Sequence, residues 1–249
     1  MRTVVVIPAR YGSSRYPGKP LAPLLGKPMI IWVAELCAQA VGVENVFIAT
    51  EDQRIADVVL AANFTPIMTS VNALTGTDRL AEASRKIDAD IFINVQGDEP
   101  LVNPVDILKI RDAKIQHMDM IINGYCLMSC HEDPESINIP KVITNERSEL
   151  VYMSRSALPG FKDRINAPSA YKKQVCIYAF TEAELKSFES FGRKSTLEHS
   201  EDIEILRFLE LNKRILMVET EPGSAAVDEP SDVALVEAKL RVRCNGKIG

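Results

Sequence analysis

The chain has 249 residues, of which 46% are hydrophobic and 25% are charged, the proportions of an ordinary soluble enzyme. This length fits one large α/β domain or a domain with an inserted subdomain, and the net charge of -5 argues against general nucleic-acid binding, which needs a basic surface. No segment reads as a signal peptide or a membrane span, and the five cysteines form no Cys-x-x-Cys pair. We therefore expect a cytoplasmic protein with buried free thiols, no membrane partner and no nucleic-acid partner.

The first predicted element is a strand over residues 4–7, a run of valines and isoleucine typical of a strand buried on both faces of a parallel sheet. Pro8 ends it, and a Gly-, Ser- and Pro-rich segment follows that carries Arg10, Arg15 and Lys19. Ligands bind at the carboxyl ends of strands in open α/β sheets, and small residues let backbone N–H groups approach an anion. We interpret this loop as a triphosphate cradle, although it is neither a Gly-x-Gly-x-x-Gly nor a Walker loop. A surface turn with solvated basic residues is the alternative.

Strands and helices then alternate, which predicts a doubly wound parallel sheet. The sequence favours helices from residue 27 to 42, after Glu51-Asp52, over 80–87 and from Asn103-Pro104, with strands over 46–50, 66–68 and 91–95. From residue 119 strands follow without helices between them, at 120–127, 141–144, 150–154 and 175–180, which indicates a mixed part of the sheet. Helices over 182–191 and 197–211, a strand over 215–218 and a helix over 231–241 complete the prediction.

Two aspartates follow buried strands. Asp98 comes three residues after a strand, at the sheet edge where the basic loop should lie. Mg²⁺ takes one or two carboxylates together with phosphate oxygens and water, so Asp98 is a candidate ligand; a turn-forming role is the alternative. Asp228 on its own is more typical of a helix start. Paired with Asp98, it would complete a magnesium site.

The segment 75–79 (TGTDR) is a third candidate element, because a glycine between two hydroxyls can bring donors to a base or ribose. The alternative is that Thr77 or Asp78 caps the following helix, and both roles are compatible. Gln96 offers a donor and an acceptor that suit a cytosine edge or a sugar hydroxyl. The three histidines lack metal-site spacing and are expected on the surface, and residues 201–207 look first like a solvated helix face.

Several motifs together resemble one family. They are PARYGSSR at 8–15, PGKPL at 17–21, TGTDR at 75–79, NVQGDEP at 94–100, YMSRSALP at 152–159, LEH at 197–199 with Glu204 and Arg207, and VDEP at 227–230. This set resembles the 3-deoxy-manno-octulosonate (Kdo) cytidylyltransferases, or CMP-Kdo synthetases, over nearly the whole chain.

The resemblance implies a nucleotidyltransferase-type, Rossmann-like α/β fold, with a mostly parallel sheet flanked by helices and a mixed-sheet portion for dimerisation and substrate. It implies one domain over residues 1–249, with a CTP-binding half of about 1–118 and a sugar-binding and dimerisation half of about 119–249. CTP and a small acidic sugar would be the substrates, Mg²⁺ the cofactor, and a homodimer the assembly.

Carried over residue by residue, the resemblance assigns catalysis to Arg10, Lys19 and Asp98, and the metal to Asp98 and Asp228. Nucleotide contacts are assigned to Ala9, Arg10, Ser14, Lys19, Thr75, Gly76, Thr77, Arg79 and Gln96, and sugar contacts to Gln96, Ser154, Arg155, Gln174, Tyr178 and Glu204.

One segment departs from the family, which usually has His-Leu-Gly-Ile-Tyr where this chain has Gln174-Val175-Cys176-Ile177-Tyr178. An amide cannot take on charge as imidazole can, and a cysteine in place of glycine adds bulk near the sugar. We therefore expect CTP and the reaction to be shared with the family and the acceptor preference to be altered. Transfer to another acidic acceptor such as a phosphonate, or a catalytically silent nucleotide-binding protein, are the alternatives.

Overall fold

The computed structural model describes residues 1–12, 16–222 and 226–245, without the side chains of 244 and 245. The strands are β1 (Thr3–Ala9), β2 (Pro23–Leu24), β3 (Lys27–Pro28), β4 (Val46–Thr50), β5 (Thr65–Met68), β6 (Ile91–Val95), β7 (Ile121–Leu127), β8 (Lys141–Thr144), β9 (Leu150–Ser154), β10 (Lys172–Phe180) and β11 (Ile215–Glu219). The helices are α1 (Met29–Val41), α2 (Gln53–Ala61), α3 (Gly76–Ser84), α4 (Pro104–Gln116), α5 (Glu182–Glu189), α6 (Thr196–Glu201), α7 (Ile205–Glu210) and α8 (Asp232–Asn245).

The central sheet has the order β11-β7-β10-β6-β1-β4-β5, with the β8–β9 hairpin attached to β10. The pairs along this order are parallel except at β10, which runs antiparallel to both β6 and β7. The β8–β10 and β8–β9 pairs are antiparallel as well. The predicted α/β class, a mostly parallel sheet with a mixed portion, is confirmed. Because β1 and β6 are parallel neighbours, the loops that follow them meet at one edge of the sheet.

The core lies on both faces of the sheet, as the apolar run in β1 predicts. Val5 and Ile7 face a cluster formed with α1 and α4, whereas Val4 and Val6 face a second cluster formed with α3, α5 and α7, and all four valine and isoleucine side chains are fully buried. Alternate residues of a strand point to opposite faces, so a strand covered on both sides must be apolar throughout.

Two of the predicted helices differ markedly from the structure. Helix α3 begins at Gly76 rather than at residue 80, because the Thr75 hydroxyl accepts the Asp78 N–H (3.2 Å) and caps the helix; the predicted caps, Thr77 and Asp78, lie inside its first turn. The predicted helix over 197–211 is two helices, α6 and α7. They are separated where Asp202 takes a left-handed backbone conformation with φ 50° and ψ 48°.

The expectation that the free cysteines are buried is confirmed only in part. Cys37 and Cys126 are buried and Cys176 is half-buried, but Cys130 is exposed, which contradicts the expectation of buried thiols; the side chain of Cys244 lies outside the described residues. Across the part of the chain that the structure describes, no helix has both the length and the apolar character needed to cross a bilayer.

Candidate active site

A cavity of about 600 Å³ opens at the sheet edge where the loops after β1 and β6 meet. Residues from both halves of the chain line it. Among the residues predicted for the site, those that line the cavity are Ala9, Arg10, Lys19, Thr75, Gly76, Arg79, Gln96, Asp98, Arg155, Glu204 and Asp228. Ser14 lies outside the described residues. The cavity thus joins the basic loop, the TGTDR segment and both predicted metal ligands.

Lys19 and Asp98 form an ion pair inside this cavity, with 2.6 Å between Nζ and Oδ2 and little of either side chain exposed. Gly18 takes φ 72°, a backbone conformation that favours glycine, immediately before Lys19. Gly97 has no room for a side chain, since a Cβ there would lie 3.0 Å from the Pro8 carbonyl oxygen. The glycine before Asp98 therefore lets the loop after β6 pack directly on the end of β1.

The two predicted metal ligands are tied together through the backbone, because the Val227 N–H donates to the Asp98 carbonyl oxygen (3.0 Å). Within the described ranges no three acidic, His or Cys side chains converge as a ready-made metal site. Mg²⁺ does not need one, since it binds through one or two carboxylates and completes its shell with phosphate oxygens and water. Asp98 and Asp228, two hard oxygen donors in a cavity with several cations, fit that ion.

Glu204 lines the cavity and also fixes the start of α3. Its carboxylate accepts the N–H groups of Gly76 (3.0 Å) and Thr77 (2.8 Å) and the Thr77 hydroxyl. Three donors of the first helical turn are thereby satisfied by one side chain from a distant part of the sequence. The Thr77 side chain is buried against Glu204 and does not line the cavity, so its predicted nucleotide contact would have to be indirect.

The expectation of a solvated helix face over 201–207 is wrong. Arg207 is fully buried and binds the carboxylates of Asp78 (2.8 Å from Nη1) and Glu198 (2.7 Å from Nε), with its guanidinium 3.6 Å from the centre of the Phe188 ring. A buried charge has to be paired, and two carboxylates and an aromatic face surround this one. Since Asp78 belongs to α3, this cluster holds α3 and α7 together.

Arg79 is a further fixed cation of the cavity. Burial lowers its pKa, while Glu51 at 3.0 Å favours the charged form. The same Glu51 carboxylate accepts the Tyr11 N–H (2.9 Å), so it links the basic loop to α3. Glu51 was not among the predicted site residues. Its position directly after β4 is the signal that could have identified it.

Ser154 and Arg155 are held by Glu201. Its carboxylate accepts the Ser154 hydroxyl (2.7 Å) and the Arg155 N–H (2.8 Å). Burial raises the pKa of Glu201, but the hydrogen bonds from Arg155, Ser154 and Tyr152 outweigh it, and the net shift is downward. The Arg155 guanidinium donates to three backbone carbonyls, those of residues 137, 201 and 202. Of this pair only Arg155 lines the cavity.

Gln174 and Tyr178, both predicted to bind the sugar, do not line the cavity. The Gln174 amide donates to the Tyr178 hydroxyl (3.0 Å) and to Asn123 Oδ1 (3.2 Å). Burial raises the pKa of the Cys176 thiol, and the carboxylates of Glu99 and Asp98 raise it further. None of the side chains of Gln174, Cys176 and Tyr178 lines the cavity.

Sequence reasoning also missed residues that line the cavity, among them Ile137, Asn138, Lys194 and Asp202. They come from irregular segments and from the break between α6 and α7. No periodicity or spacing in the sequence marks them, because only the tertiary fold brings them to this wall.

Comparison with known proteins agrees with this arrangement. A family model described as "Cytidylyltransferase" matches residues 4–215. The 3-deoxy-manno-octulosonate cytidylyltransferase of Trichlorobacter lovleyi is 41% identical, covering 98% of this chain and 99% of that one. The 8-amino-3,8-dideoxy-manno-octulosonate cytidylyltransferase of Shewanella loihica is 38% identical, over 97% of this chain and 100% of that one. The structure of a CMP:2-keto-3-deoxy-manno-octonic acid synthetase complexed with CTP superposes with a TM-score of 0.90 at 36% identity, covering 98% of this chain and 100% of that one.

Proposed function

The chain belongs to the 3-deoxy-manno-octulosonate cytidylyltransferase family and is a nucleotidyltransferase, and from that premise we propose that it couples CTP to Kdo or a close analogue, giving the CMP-sugar and pyrophosphate. The observation that carries the proposal is a single cavity lined by the Lys19–Asp98 pair, by Asp228 and by other residues from the second half of the chain. We assign residues of about 1–118 to CTP and those of about 119–249 to the sugar and to dimerisation.

In this reaction the anomeric hydroxyl of the sugar attacks the α-phosphorus of CTP, and the bond from that phosphorus to the bridging oxygen of pyrophosphate breaks. Catalysis rests on positioning and on neutralising phosphate charge. Arg10 and Lys19 line the cavity as the cations that would stabilise the departing pyrophosphate, and Asp98 holds the Lys19 ammonium in place. Gln96 offers both a donor and an acceptor to orient a substrate.

We propose that Asp98 and Asp228 hold Mg²⁺. When bound, the ion would polarise the α-phosphate and lower the pKa of the attacking hydroxyl. Asp98→Asn should abolish turnover and leave the fold intact, since it removes one charge from a partly exposed loop. Calorimetry should also show that CTP binding to this variant no longer depends on Mg²⁺. Asp112→Asn, an exposed change on α4, is the matched control. Normal magnesium-dependent activity in Asp98→Asn would contradict the metal assignment.

The reaction is tested directly by pyrophosphate release from CTP with a panel of acceptors: Kdo, 8-amino-Kdo, other sugar acids and a phosphonate. We expect release with CTP and a Kdo-like acid, and little with ATP, GTP or UTP. Release of pyrophosphate with the phosphonate and with no sugar acid would show that the acceptor is a phosphonate instead. Tight CTP binding without release for any acceptor would indicate a silent binding protein.

We propose in addition that the protein is a cytoplasmic homodimer. Support for the dimer comes from apolar side chains left exposed in the second half of the chain, among them Leu127 (45%), Val151 (53%) and Phe161 (48%). Light scattering after size exclusion should give twice the chain mass of 27.6 kDa, and the monomer mass would contradict this proposal. Cell fractionation tests the location.

A further inference from the structure

Lys194 and Asp202 form an ion pair on the cavity wall that the second half of the chain provides. Their Nζ and Oδ1 atoms are 2.7 Å apart, and the side chains are 34% and 74% exposed. Both residues line the cavity, but neither has been given a role in binding or catalysis above. An exposed pair of this kind contributes little to stability, so a substrate can open it at little cost.

A left-handed turn of the backbone between α6 and α7 presents Asp202 to the cavity. Asp202 takes φ 50° and ψ 48° at the end of α6, a left-handed conformation that aspartate adopts more readily than most residues other than glycine. The Arg155 guanidinium donates to the carbonyl oxygens of Glu201 and of Asp202 (3.1 Å), so the bend is fixed from the cavity side.

The base of Lys194 is fixed as well. The next residue, Ser195, begins α6 with a capping box in which its N–H donates to Glu198 (2.9 Å). Glu198 in turn binds the buried Arg207. Both members of the pair therefore start from rigid points, and only their end groups are free to adapt to a ligand.

We propose that Lys194 and Asp202 recognise the end of the acceptor farthest from its reacting carbon, and that Lys194 makes the chain prefer a hydroxyl there to an ammonium group. The inference rests on the proposed function. In an octulosonic acid the carboxylate sits on the carbon that bears the attacking hydroxyl, so both groups must lie at the Lys19–Asp98 end of the cavity. The polyol tail is placed at Lys194 and Asp202 because both residues line the same cavity and because Arg155, assigned to the sugar above, donates to the Asp202 carbonyl oxygen.

A hydroxyl suits the pair because it can donate to the Asp202 carboxylate and accept from the Lys194 ammonium at the same time. An ammonium group on the tail can only donate, and its charge would meet that of Lys194 at short range. Repulsion between like charges is one of the ways in which a binding site excludes a wrong partner. The relatives reported above include enzymes named for Kdo and for 8-amino-Kdo at similar identity, so this pair supplies a distinction that overall similarity does not.

The test measures kcat/KM for Kdo and for 8-amino-Kdo in the wild type, Lys194→Met, Asp202→Asn and a control. Lys213→Met is the control, because Lys213 is an exposed lysine that does not line the cavity. We expect the wild type to prefer Kdo about tenfold or more. Lys194→Met should lower that ratio about tenfold, since Asp202 then faces the ammonium alone. Asp202→Asn should raise it, and KM for CTP should stay unchanged in both variants.

Shifts of the ratio in opposite directions are the signature of the pair, because a general loss of structure would affect both acids alike. The inference would be overturned if the wild type used Kdo and 8-amino-Kdo equally well, if it preferred 8-amino-Kdo, or if the two variants shifted the ratio in the same direction. The proposed function would stand in each of these cases. Turnover of neither acid by the wild type would overturn the proposed function and this inference with it.

Discussion

Replacing Glu204 by glutamine should weaken both the fold and the nucleotide site. The carboxylate accepts two backbone N–H groups and one hydroxyl at the first turn of α3. Glutamine keeps one oxygen, so in either amide orientation the N–H of Gly76 or of Thr77 faces an NH₂ group instead of an acceptor. Thr77 is buried, and water cannot replace the lost acceptor there.

The expected cost follows from these contacts. A buried N–H without an acceptor costs about 1–3 kcal/mol, and losing a negative charge at a helix N-terminus adds about 0.3–1 kcal/mol. We expect the free energy of unfolding to fall by about 2–3 kcal/mol, and the melting temperature by about 5–10 °C for a chain of this size. Because Gly76 and Thr75 line the cavity, KM for CTP should rise about tenfold.

Urea unfolding and steady-state kinetics check this prediction, with Glu210→Gln as the matched control. Glu210 also caps a helix, accepting the Leu197 N–H of α6 (3.0 Å), but it does not line the cavity. The control should lose stability and keep its KM for CTP. If Glu204→Gln matches the wild type in both unfolding midpoint and KM, or if the control loses as much CTP affinity, the role given to Glu204 is refuted.

Three further predictions concern other parts of the site. Lys19→Ala should lower kcat/KM roughly 100-fold and weaken CTP binding, because a fixed cation of the cavity is lost; unchanged calorimetric affinity and turnover would remove it from the site. The double change Gln174→His with Cys176→Gly should raise kcat/KM for Kdo, because it alters the hydrogen bond between residue 174 and the Tyr178 hydroxyl. An unchanged kcat/KM would mean that the departure of this segment from the family sequence has no effect on the reaction. The folded-state pKa of Glu201 is lowered, so its stabilising effect is present above the unfolded pKa and is lost as the pH falls through the folded value. The difference in urea midpoint between wild type and Glu201→Gln should accordingly shrink from pH 7 to pH 3, and a constant difference would contradict this.

Local sequence patterns predicted those elements whose cause is local. The apolar runs gave β1, β4 and β6, since a strand covered on both faces needs apolar residues throughout. Asn103-Pro104 marked the start of α4, where the Asn103 side chain accepts the Val105 N–H (3.1 Å). The basic loop and Asp98 were expected at one sheet edge for the same kind of reason, and they meet there.

Features with a long-range cause escaped prediction. The start of α3 was placed too late because Gly76 looks like a loop residue, yet Glu204, 128 residues away, satisfies its N–H. The break at Asp202 interrupts a continuous helical pattern, and it is held by Arg155, which directly follows β9. Arg207 looked like a surface residue because its partner Asp78 is 129 residues away. No short window of sequence contains these pairs.

The position of β10 has a consequence for how the chain folds during synthesis. This strand lies between β6 and β7, although it follows both in sequence. Until residue 180 has left the ribosome, the edge of β6 that β10 will cover carries unpaired backbone groups next to apolar side chains. Such an edge invites pairing with other chains. A fragment ending near residue 118 should therefore aggregate when expressed alone, and nascent chains of that length should be bound by chaperones.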